Sequence, residues 1–279
     1  MLSLSLSRRR VLALGTGLAL THRLSVPLDA TLPGGLAPLT RGLRVMTWNL
    51  VHGTRVSVPP GWVPRRFVEA RIDHAAAVIE RMHVDALMLQ EADGDPRIDR
   101  TQRLASGTGL LAASTAGAIG HGATLVTRRA PLAVTSAMFR SRGWDPKGVT
   151  IARVQSLEGR ELDVASVHLH AFSADVRIAQ IRELADIVAV HRRAYGERAL
   201  VVAGDLNDDA RGTTRLLAGA LGLHTSDEET PTFTELGLAW RLDWVLVSPD
   251  LELTAHRVLG PGTSDHHPIV ADIAFRRAS

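Results

Sequence analysis

Short apolar runs separated by polar turns fill the sequence between residues 43 and 275. Runs of this length that are rich in Val, Ile and Leu predict buried strands. The predicted strands cover residues 43–48, 86–90, 121–127, 131–138, 148–156, 161–167, 200–203, 241–247, 251–258 and 269–275. We expect 121–127 and 131–138 to pair around a turn at Arg128 and Arg129, and 148–156 and 161–167 to pair around Glu158 and Gly159.

Other segments have the spacing of amphipathic helices. Apolar residues recur every three to four positions between 64 and 82, and again after Ser173, a suitable N-cap for a helix that runs to about Tyr195. A short helix is predicted at 97–104. Helix-covered strands mixed with hairpins predict an α/β fold with partly antiparallel sheets. We therefore expect one folded domain, from residue 41 to residue 279.

The first forty residues have the pattern of an export signal. Arg8, Arg9 and Arg10 precede an apolar run from 11 to 20, which is the order of a signal peptide. The run is too short to cross a bilayer, which takes about 20 apolar residues. Paired arginines after Ser7 resemble a twin-arginine signal, which exports folded proteins. The alternative is a disordered basic tail.

Residues 31–40 are rich in Pro and Gly and predict a linker. We therefore expect residues 1–40 to form an export signal and a linker. The protein is expected to cross the bacterial inner membrane by the twin-arginine route, to the cell envelope or the medium, without a stable membrane anchor. The chain has no cysteine, which excludes disulfides, thiolate zinc sites and a cysteine nucleophile, and we expect no lipoprotein anchor.

The basic residues are almost all arginine. The net charge is only +3 but the pI is about 10.3, and Lys147 is the only lysine. Arginine favours bidentate contacts with phosphate, although a genome-wide bias produces the same composition. Three pairs are candidates for contacting a phosphate backbone, with solvated surface as the alternative: Arg65–Arg66, Arg128–Arg129 and Arg192–Arg193.

Polar residues recur at or beside the ends of the predicted strands. They are most crowded after the strand at 200–203, where Asp205, Asn207, Asp208 and Asp209 follow closely. Repulsion between carboxylates has to be relieved by a cation, a basic partner or water. Each residue alone has an ordinary explanation as a turn or solvated residue, but carboxylates and histidines together indicate an active site. The set is Asn49, Glu91, His168, Asp205, Asn207, Asp243, Asp265 and His266.

Short motifs around these residues carry a family resemblance, and they occur in the family's order. They are Thr47-Trp48-Asn49, Gln90-Glu91, His168-Leu169, Gly204-Asp205-Leu206-Asn207, Leu242-Asp243-Trp244-Val245 and Ser264-Asp265-His266-His267-Pro268. From residue 44 onward, the chain resembles the endonuclease/exonuclease/phosphatase superfamily. The resemblance implies a DNase I-like fold of the α/β (α+β) class, a four-layer sandwich of two packed mixed β-sheets flanked by helices. It also implies a site on one rim and divalent-metal-dependent hydrolysis of a phosphate ester.

The resemblance assigns metal ligands and a central histidine. Asn49, Glu91 and Asp265 would hold Mg²⁺ or Mn²⁺, because hard oxygen ligands suit these ions. His266 would be the general base or the histidine that holds the scissile phosphate, and Asp243 would fix its tautomer. We predict that His266→Ala loses most activity but still folds, because this side chain is expected to face outward.

The remaining catalytic roles are also implied by the resemblance. Asp205 would orient or help deprotonate the attacking water, Asn207 would donate to a phosphate oxygen, and His168 would donate to the developing charge or the leaving oxygen. Four positions depart from the family pattern, and two of them are Ser166 and Val167, which precede His168-Leu169 where the family usually has Asn and Thr. Val51 replaces an acid that some DNA-repair members carry, and His170 stands where an acid is common. These departures weaken a DNA-repair assignment and leave the core mechanism intact.

The sequence leaves three functions open. The first is a nuclease or general phosphodiesterase with a phosphodiester substrate, nucleic acid included, although aromatic residues for base stacking make up only 4% of the chain. The second is a sphingomyelinase-like lipid-headgroup phosphodiesterase, which would need an apolar protrusion, and Trp144 is the only hint of one. The third is a non-catalytic binding protein on the same fold. Arg177 either faces the site or is a solvated helix residue.

Overall fold

The structure is a computed structural model that describes residues 32–51, 63–92, 99–116, 122–141, 147–208, 211–226, 229–235, 237–260 and 262–277. The predicted export signal and Trp144 lie outside these ranges. Among the described residues, no helix combines the length and the apolar character that crossing a membrane requires.

Fourteen strands and four helices form the described part of the chain. The strands are β1 (Leu43–Asn49), β2 (Ala86–Gln90), β3 (Leu111–Ala116), β4 (Ala123–Thr127), β5 (Ala133–Met138), β6 (Gly148–Gln155), β7 (Glu161–His168), β8 (Ala199–Asp205), β9 (His224–Thr225), β10 (Phe233–Glu235), β11 (Leu238–Trp240), β12 (Asp243–Val247), β13 (Leu251–Val258) and β14 (Ile269–Phe275). The helices are α1 (Arg65–Arg81), α2 (Arg100–Thr108), α3 (Ala174–Tyr195) and α4 (Gly212–Leu221).

The strands form two six-stranded mixed sheets and one two-stranded hairpin. Sheet I has the order β13-β14-β1-β2-β4-β3, sheet II has the order β5-β6-β7-β8-β12-β9, and β10 pairs with β11. An apolar core joins the facing sides of the sheets, with Val45 and Met88 from sheet I against Val164 and Val201 from sheet II. Helices α1 and α2 cover the outer face of sheet I, and α3 and α4 cover that of sheet II. The expected four-layer sandwich is therefore confirmed.

The longest helix, α3, shows how local sequence features determine where a helix begins and which face it buries. Ser173 is the N-cap of α3, and its side chain accepts a hydrogen bond from the Val176 amide at 3.3 Å. Asp175 in the first turn and Arg192 and Arg193 in the last turn complement the helix dipole. Buried apolar residues along one face pack on sheet II. The predicted helix and its cap are confirmed.

One predicted strand pairing is wrong. The segments around Arg128 and Arg129 do form β4 and β5, but β4 lies between β2 and β3 in sheet I, while β5 pairs with β6 in sheet II. The turn between them therefore crosses from one sheet to the other. Two short apolar runs around a polar turn have the same pattern in a hairpin and in such a crossing. The second predicted hairpin, β6 with β7, is confirmed.

The short elements were the least predictable. Helix α2 begins after Asp99, whose side chain accepts from the Gln102 amide at 2.8 Å, so it runs to Thr108 rather than over 97–104. Five elements were not predicted at all, namely β3, β9, β10, β11 and α4. Helix α4 has no side-chain cap and contains Gly219 and adjacent threonines, which are weak helix formers. Strands of two or three residues are too short to show a period.

Strand register brings the polar residues to one edge of the sandwich, which we call the polar rim. In sheet I, β1 and β2 are parallel and Asn49 lies opposite Gln90, next to Glu91. In sheet II, β7 and β8 are parallel with His168 opposite Asp205, and antiparallel β12 places Asp243 opposite Asp205. The other ends of the same strands form the far rim.

Candidate active site

Asp205 lies at the centre of the polar rim. Its Oδ2 accepts a hydrogen bond from Asn49 Nδ2 at 3.1 Å, so the carboxylate connects the two sheets. The same oxygen lies 3.5 Å from His168 Nε2 and 3.9 Å from His266 Nε2. Its Oδ1 accepts from the backbone amide of Asn207 at 2.9 Å. One buried carboxylate is thus held between an amide and two imidazoles.

His266 is held by Asp243 and by the β10–β11 hairpin. Its Nδ1 lies 2.9 Å from Asp243 Oδ2, and the Asp243 amide donates to Thr232 Oγ1 at 2.9 Å. The Phe233 ring meets the imidazole edge-on at 5.1 Å between centroids, and Trp48 Nε1 donates to the His266 carbonyl at 3.0 Å. His266 is only 6% exposed, so the expectation of an outward-facing side chain is wrong. The hairpin, which was not predicted, covers it.

Asp265 and Glu91 lie on the side of sheet I, beside two of the residues that contact Asp205, which are Asn49 and His168. Ser264 Oγ donates to the Asn49 carbonyl at 2.7 Å and lies 3.4 Å from Asp265 Oδ1, which places Asp265 beside the end of β1. Glu91 Oε1 lies 3.8 Å from His168 Nε2. Glu91 and Asp265 also repel each other electrostatically. The three predicted metal ligands therefore lie around the same part of the polar rim.

Neighbouring residues support the site from its edge. Asn207 Nδ2 donates to the Leu169 carbonyl at 2.9 Å, which ties the loop after β8 to the loop after β7. Arg177 is buried and donates to the His170 carbonyl at 3.0 Å, so it is not a solvated helix residue. His267 lies 2.8 Å from Thr234 Oγ1 through its Nε2, on the hairpin side. The Arg177 and His267 contacts position loops rather than supply groups to the cluster.

The backbone at two strand ends is unusual. Gly204 has a φ of +152°, and a Cβ there would come within 1.8 Å of the Val167 carbonyl oxygen, so only glycine allows β7 and β8 to approach just before Asp205. Glu91 has a φ of +53°, which is uncommon for a residue with a side chain. Such conformations concentrate at functional sites because the surrounding structure has to enforce them.

A protein-family model matches most of the chain. The Endonuclease/Exonuclease/phosphatase family model matches residues 46–266, a span that contains every predicted site residue. The chain belongs to this family. No curated protein matches it.

Solved structures of the Endonuclease/Exonuclease/phosphatase fold superimpose on most of the chain. The Bacteroides vulgatus endonuclease/exonuclease/phosphatase has a TM-score of 0.68 and 17% identity, over 84% of this chain and 99% of that one. The Bacteroides thetaiotaomicron mannosyl-6-phosphatase has a TM-score of 0.66 and 14% identity, over 84% and 100%. The human Nocturnin catalytic domain with bound sulfate has a TM-score of 0.65 and 21% identity, over 85% and 94%. At these identities the likeness shows the shared fold.

Members of this family are phosphoric ester hydrolases that generally depend on a divalent metal, and the polar rim fits such an ion. Ligand atoms of Asp205, Asp243 and His266 all lie within 4.8 Å of one another. Asp243 Oδ1 is buried without a hydrogen-bond partner among the described residues, which is costly unless a cation or water satisfies it. The oxygen-rich donor set favours a hard cation such as Mg²⁺ or Mn²⁺.

The charges of the site are strongly coupled. Burial alone would lower the pKa of His266, but the charges of Asp243 and Asp205 and the hydrogen bond to Asp243 raise it to about 10. Burial, with repulsion from Asp243, raises the pKa of Asp205 to about 6 against the opposing charge of His266. Burial also raises the pKa of Asp265 to about 7, with repulsion from Glu91 adding to it. A protonated imidazole is a poor metal ligand, so the carboxylate and amide oxygens are the better candidates.

The raised pKa of Asp265 predicts a pH-dependent stability of the metal-free protein. The folded state keeps a proton that the unfolded state loses above about pH 4, so this group's stabilisation is present below about pH 4 and is lost as the pH rises to about 7. Asp265→Asn removes the effect. We expect the free energy of unfolding of Asp265→Asn, relative to the wild type, to increase across this window by at most about 1.4 kcal/mol per pH unit. Urea unfolding in excess chelator measures it, and a pH-independent difference contradicts it.

Lys147 lies beside the site, although it was not among the predicted site residues. Its side chain is 2% exposed, and its Nζ lies 3.3 Å from His168 Nδ1 and 3.9 Å from Glu91 Oε1. Lys147 belongs to no family motif quoted above. Its one available signal was that it is the only lysine in a chain whose other basic residues are arginine.

Proposed function

We propose that the protein is a divalent-metal-dependent phosphodiesterase that hydrolyses phosphate esters by in-line attack of water, as a nuclease or a general phosphodiesterase. The observation that carries the proposal is the arrangement of Asp205 between Asn49, His168 and the His266–Asp243 pair. Such a cluster brings three kinds of group together in one small volume: oxygen ligands for a cation, an acceptor for a proton, and cationic hydrogen-bond donors. Phosphoryl transfer needs these elements, because negative charge develops on the phosphate oxygens as water attacks.

A divalent cation, when bound, would neutralise phosphate charge and lower the pKa of attacking water. Asn49, Glu91 and Asp265 are the residues proposed to hold it. Asp205 is the proposed proton acceptor, because a carboxylate whose pKa is about 6 is ionised at mildly alkaline pH and its Oδ2 is oriented by Asn49. The remaining residues of the site act on the phosphate itself.

His266 is the proposed phosphate-holding cation rather than the general base. Its Nδ1 is engaged by Asp243, its Nε2 is directed toward Asp205, and its raised pKa keeps both nitrogens protonated at neutral pH. A cationic donor here would stabilise charge on a non-bridging oxygen. His168 would donate to the leaving oxygen and Asn207 to a phosphate oxygen.

The substrate is proposed to be a small phosphodiester in preference to a long polynucleotide. Arg128 donates to the Val84 carbonyl and Arg129 to the Ser156 carbonyl, both at the far rim. Arg192 and Arg193 lie in the last turn of α3, just before β8 begins at the far rim. Of the three arginine pairs, only Arg65–Arg66 begins a helix on the side of the polar rim. Two of the pairs are therefore badly placed to contact a nucleic acid bound at the site.

A substrate panel tests the proposal. The panel contains bis-(p-nitrophenyl) phosphate, p-nitrophenyl phosphate, plasmid DNA, RNA and sphingomyelin, each with Mg²⁺ or Mn²⁺ and each with excess chelator. The monoester is included because one protein of the same fold is a mannosyl-6-phosphatase. We expect metal-dependent hydrolysis of bis-(p-nitrophenyl) phosphate.

The panel also decides between the alternatives. Nicking of plasmid DNA would favour the nuclease, release of choline phosphate would favour a sphingomyelinase-like enzyme, and hydrolysis of the monoester alone would favour a phosphatase. A protein that binds the metal but is inactive on every substrate would contradict the enzymatic proposal and favour a binding protein on this fold.

We propose in addition that residues 1–40 export the folded protein by the twin-arginine route. The support is the order of basic and apolar residues around Arg8 and Arg9. Replacing both arginines by lysine is expected to leave the protein in the cytoplasm of a producing bacterium. Unchanged export, measured by fractionation, would contradict this proposal.

A further inference from the structure

Lys147 is a buried cation in direct contact with the catalytic cluster. Its side chain is 2% exposed, and its Nζ lies 3.3 Å from His168 Nδ1 and 3.9 Å from Glu91 Oε1. Lysine is rarely buried to this extent, because the loss of hydration has to be balanced by charge pairing and hydrogen bonds. An apolar residue would fill this volume without the free-energy cost of burying a charge. We therefore expect the ammonium group to have a role in the site.

The backbone fixes where the Lys147 ammonium group lies. Lys147 immediately precedes β6, and the next residue, Gly148, is paired with His168 across the β6–β7 ladder. The Lys147 carbonyl accepts a hydrogen bond from the Phe139 amide at 2.9 Å, which anchors it to the end of β5. Lys147 therefore approaches His168 from a neighbouring strand, on the Nδ1 side of the imidazole ring.

The chemistry of the contact determines which nitrogen of His168 carries the proton. An ammonium group has three donors and no acceptor, so the neighbouring Nδ1 has to accept. In neutral imidazole the proton then resides on Nε2. Nε2 lies 3.5 Å from Asp205 Oδ2 and 3.8 Å from Glu91 Oε1, so the N–H is directed into the cluster.

We propose that Lys147 is a positioning residue that holds His168 as the Nε2–H tautomer, with its donor directed at the substrate oxygen. This inference rests on the proposed phosphoesterase function. The two histidines then have opposite arrangements. His266 directs its Nδ1 toward the Asp243 carboxylate, whereas His168 accepts at Nδ1 from an ammonium group. His168 would thus act as a fixed neutral donor, beside a His266 that carries charge.

The tautomer can be read directly from the metal-free protein. In a two-bond ¹H–¹⁵N correlation spectrum, the His168 signals are identified as those that His168→Gln lacks. We expect the Nε2–H pattern in the wild type and its loss, or exchange between tautomers, in Lys147→Met. The signals of His191, a buried histidine whose Nδ1 lies 2.8 Å from Thr135 Oγ1 far from the site, should not change. A His168 Nδ1–H pattern in the wild type overturns the proposal, even if Lys147→Met does not fold.

Kinetics then separates positioning from packing. We expect Lys147→Met to lower kcat by about 10- to 100-fold, as loss of a ligand-orienting partner does, with KM changed less than threefold. A glutamine side chain has no tautomers, so in His168→Gln there is no tautomer for Lys147 to hold. Adding Lys147→Met to His168→Gln should therefore lower kcat by less than about threefold. Equal losses in both backgrounds would show that Lys147 does not act through His168. Because the spectrum needs no substrate, an inactive protein in the substrate panel leaves this test intact.

Discussion

His266→Gln should lower kcat by about 10²- to 10⁴-fold, the range typical of losing a positioned acid, base or charged donor. Glutamine approximates the length of histidine but carries no charge. It therefore cannot form the ion pair with Asp243, whose Oδ2 lies 2.9 Å from His266 Nδ1. The loss should fall on kcat more than on KM, because the cation matters most when charge has developed on the phosphate. Steady-state hydrolysis of bis-(p-nitrophenyl) phosphate measures both parameters.

His266→Gln should also cost stability, and so should His266→Ala, which the sequence had led us to expect would fold without loss. His266 is buried between Asp243 and Asp205, so its removal leaves two buried carboxylates without their cation. Removing one partner of a buried ion pair costs roughly 3 kcal/mol or more. Activity must therefore be compared at a temperature where both proteins are folded, as judged by circular dichroism.

His267→Gln is the matched control for His266→Gln. The two histidines are adjacent and both are buried, but His267 Nε2 lies 2.8 Å from Thr234 Oγ1 on the hairpin. We expect kcat of His267→Gln to stay within about threefold of the wild type, because the imidazole of His267 pairs with Thr234 on the hairpin, whereas that of His266 pairs with Asp243 in the cluster. Near-normal turnover by folded His266→Gln would remove the proposed mechanism.

The strands that were predicted best from the sequence are those whose apolar run ends in a polar residue. The ends of β1, β2, β7 and β8 were predicted to within a residue or two, because buried strands in a parallel pair are nearly continuous apolar segments. The pairing of β4 and β5 was wrong, since the pattern of two short runs and a turn does not specify which sheet each run joins. Sheet assignment depends on packing between distant segments.

The site, like the fold, was predicted only in part from the sequence. The family motifs identified the residues of the cluster, but the neighbourhood of each side chain depends on register and on short elements without a period. The burial of His266 comes from β10, where the Thr234 amide donates to the Asp265 carbonyl at 3.0 Å and Phe233 bridges to His266. Lys147 was missed because its contact with His168 follows from the β6–β7 register. The fact that Lys147 is the only lysine does not show which residue its side chain contacts.

Removing divalent metal should abolish activity, the largest effect that we expect, and Mg²⁺ or Mn²⁺ should restore it. The reason is electrostatic: burial, together with repulsion from Asp243 for Asp205 and from Glu91 for Asp265, raises the pKa of both aspartates at the polar rim. A divalent cation relieves this repulsion, so it should bind and stabilise the folded protein as well as activate it. Full activity in excess chelator would contradict the metal assignment.

Binding and stability provide readouts that do not depend on turnover. At a Mg²⁺ concentration of about 100 times Kd, binding should add about 2.7 kcal/mol to the free energy of unfolding. Glu91→Gln should weaken Mg²⁺ binding by at least about tenfold in calorimetry, because it removes one charged ligand from a site that uses only one or two carboxylates. Asp73→Asn is the matched control, an exposed acid on α1 that pairs with Arg103 at 2.6 Å. If both variants bind Mg²⁺ as the wild type does, Glu91 is not a ligand, and the ion has to be assigned to the oxygens around Asp205 and Asp243 instead.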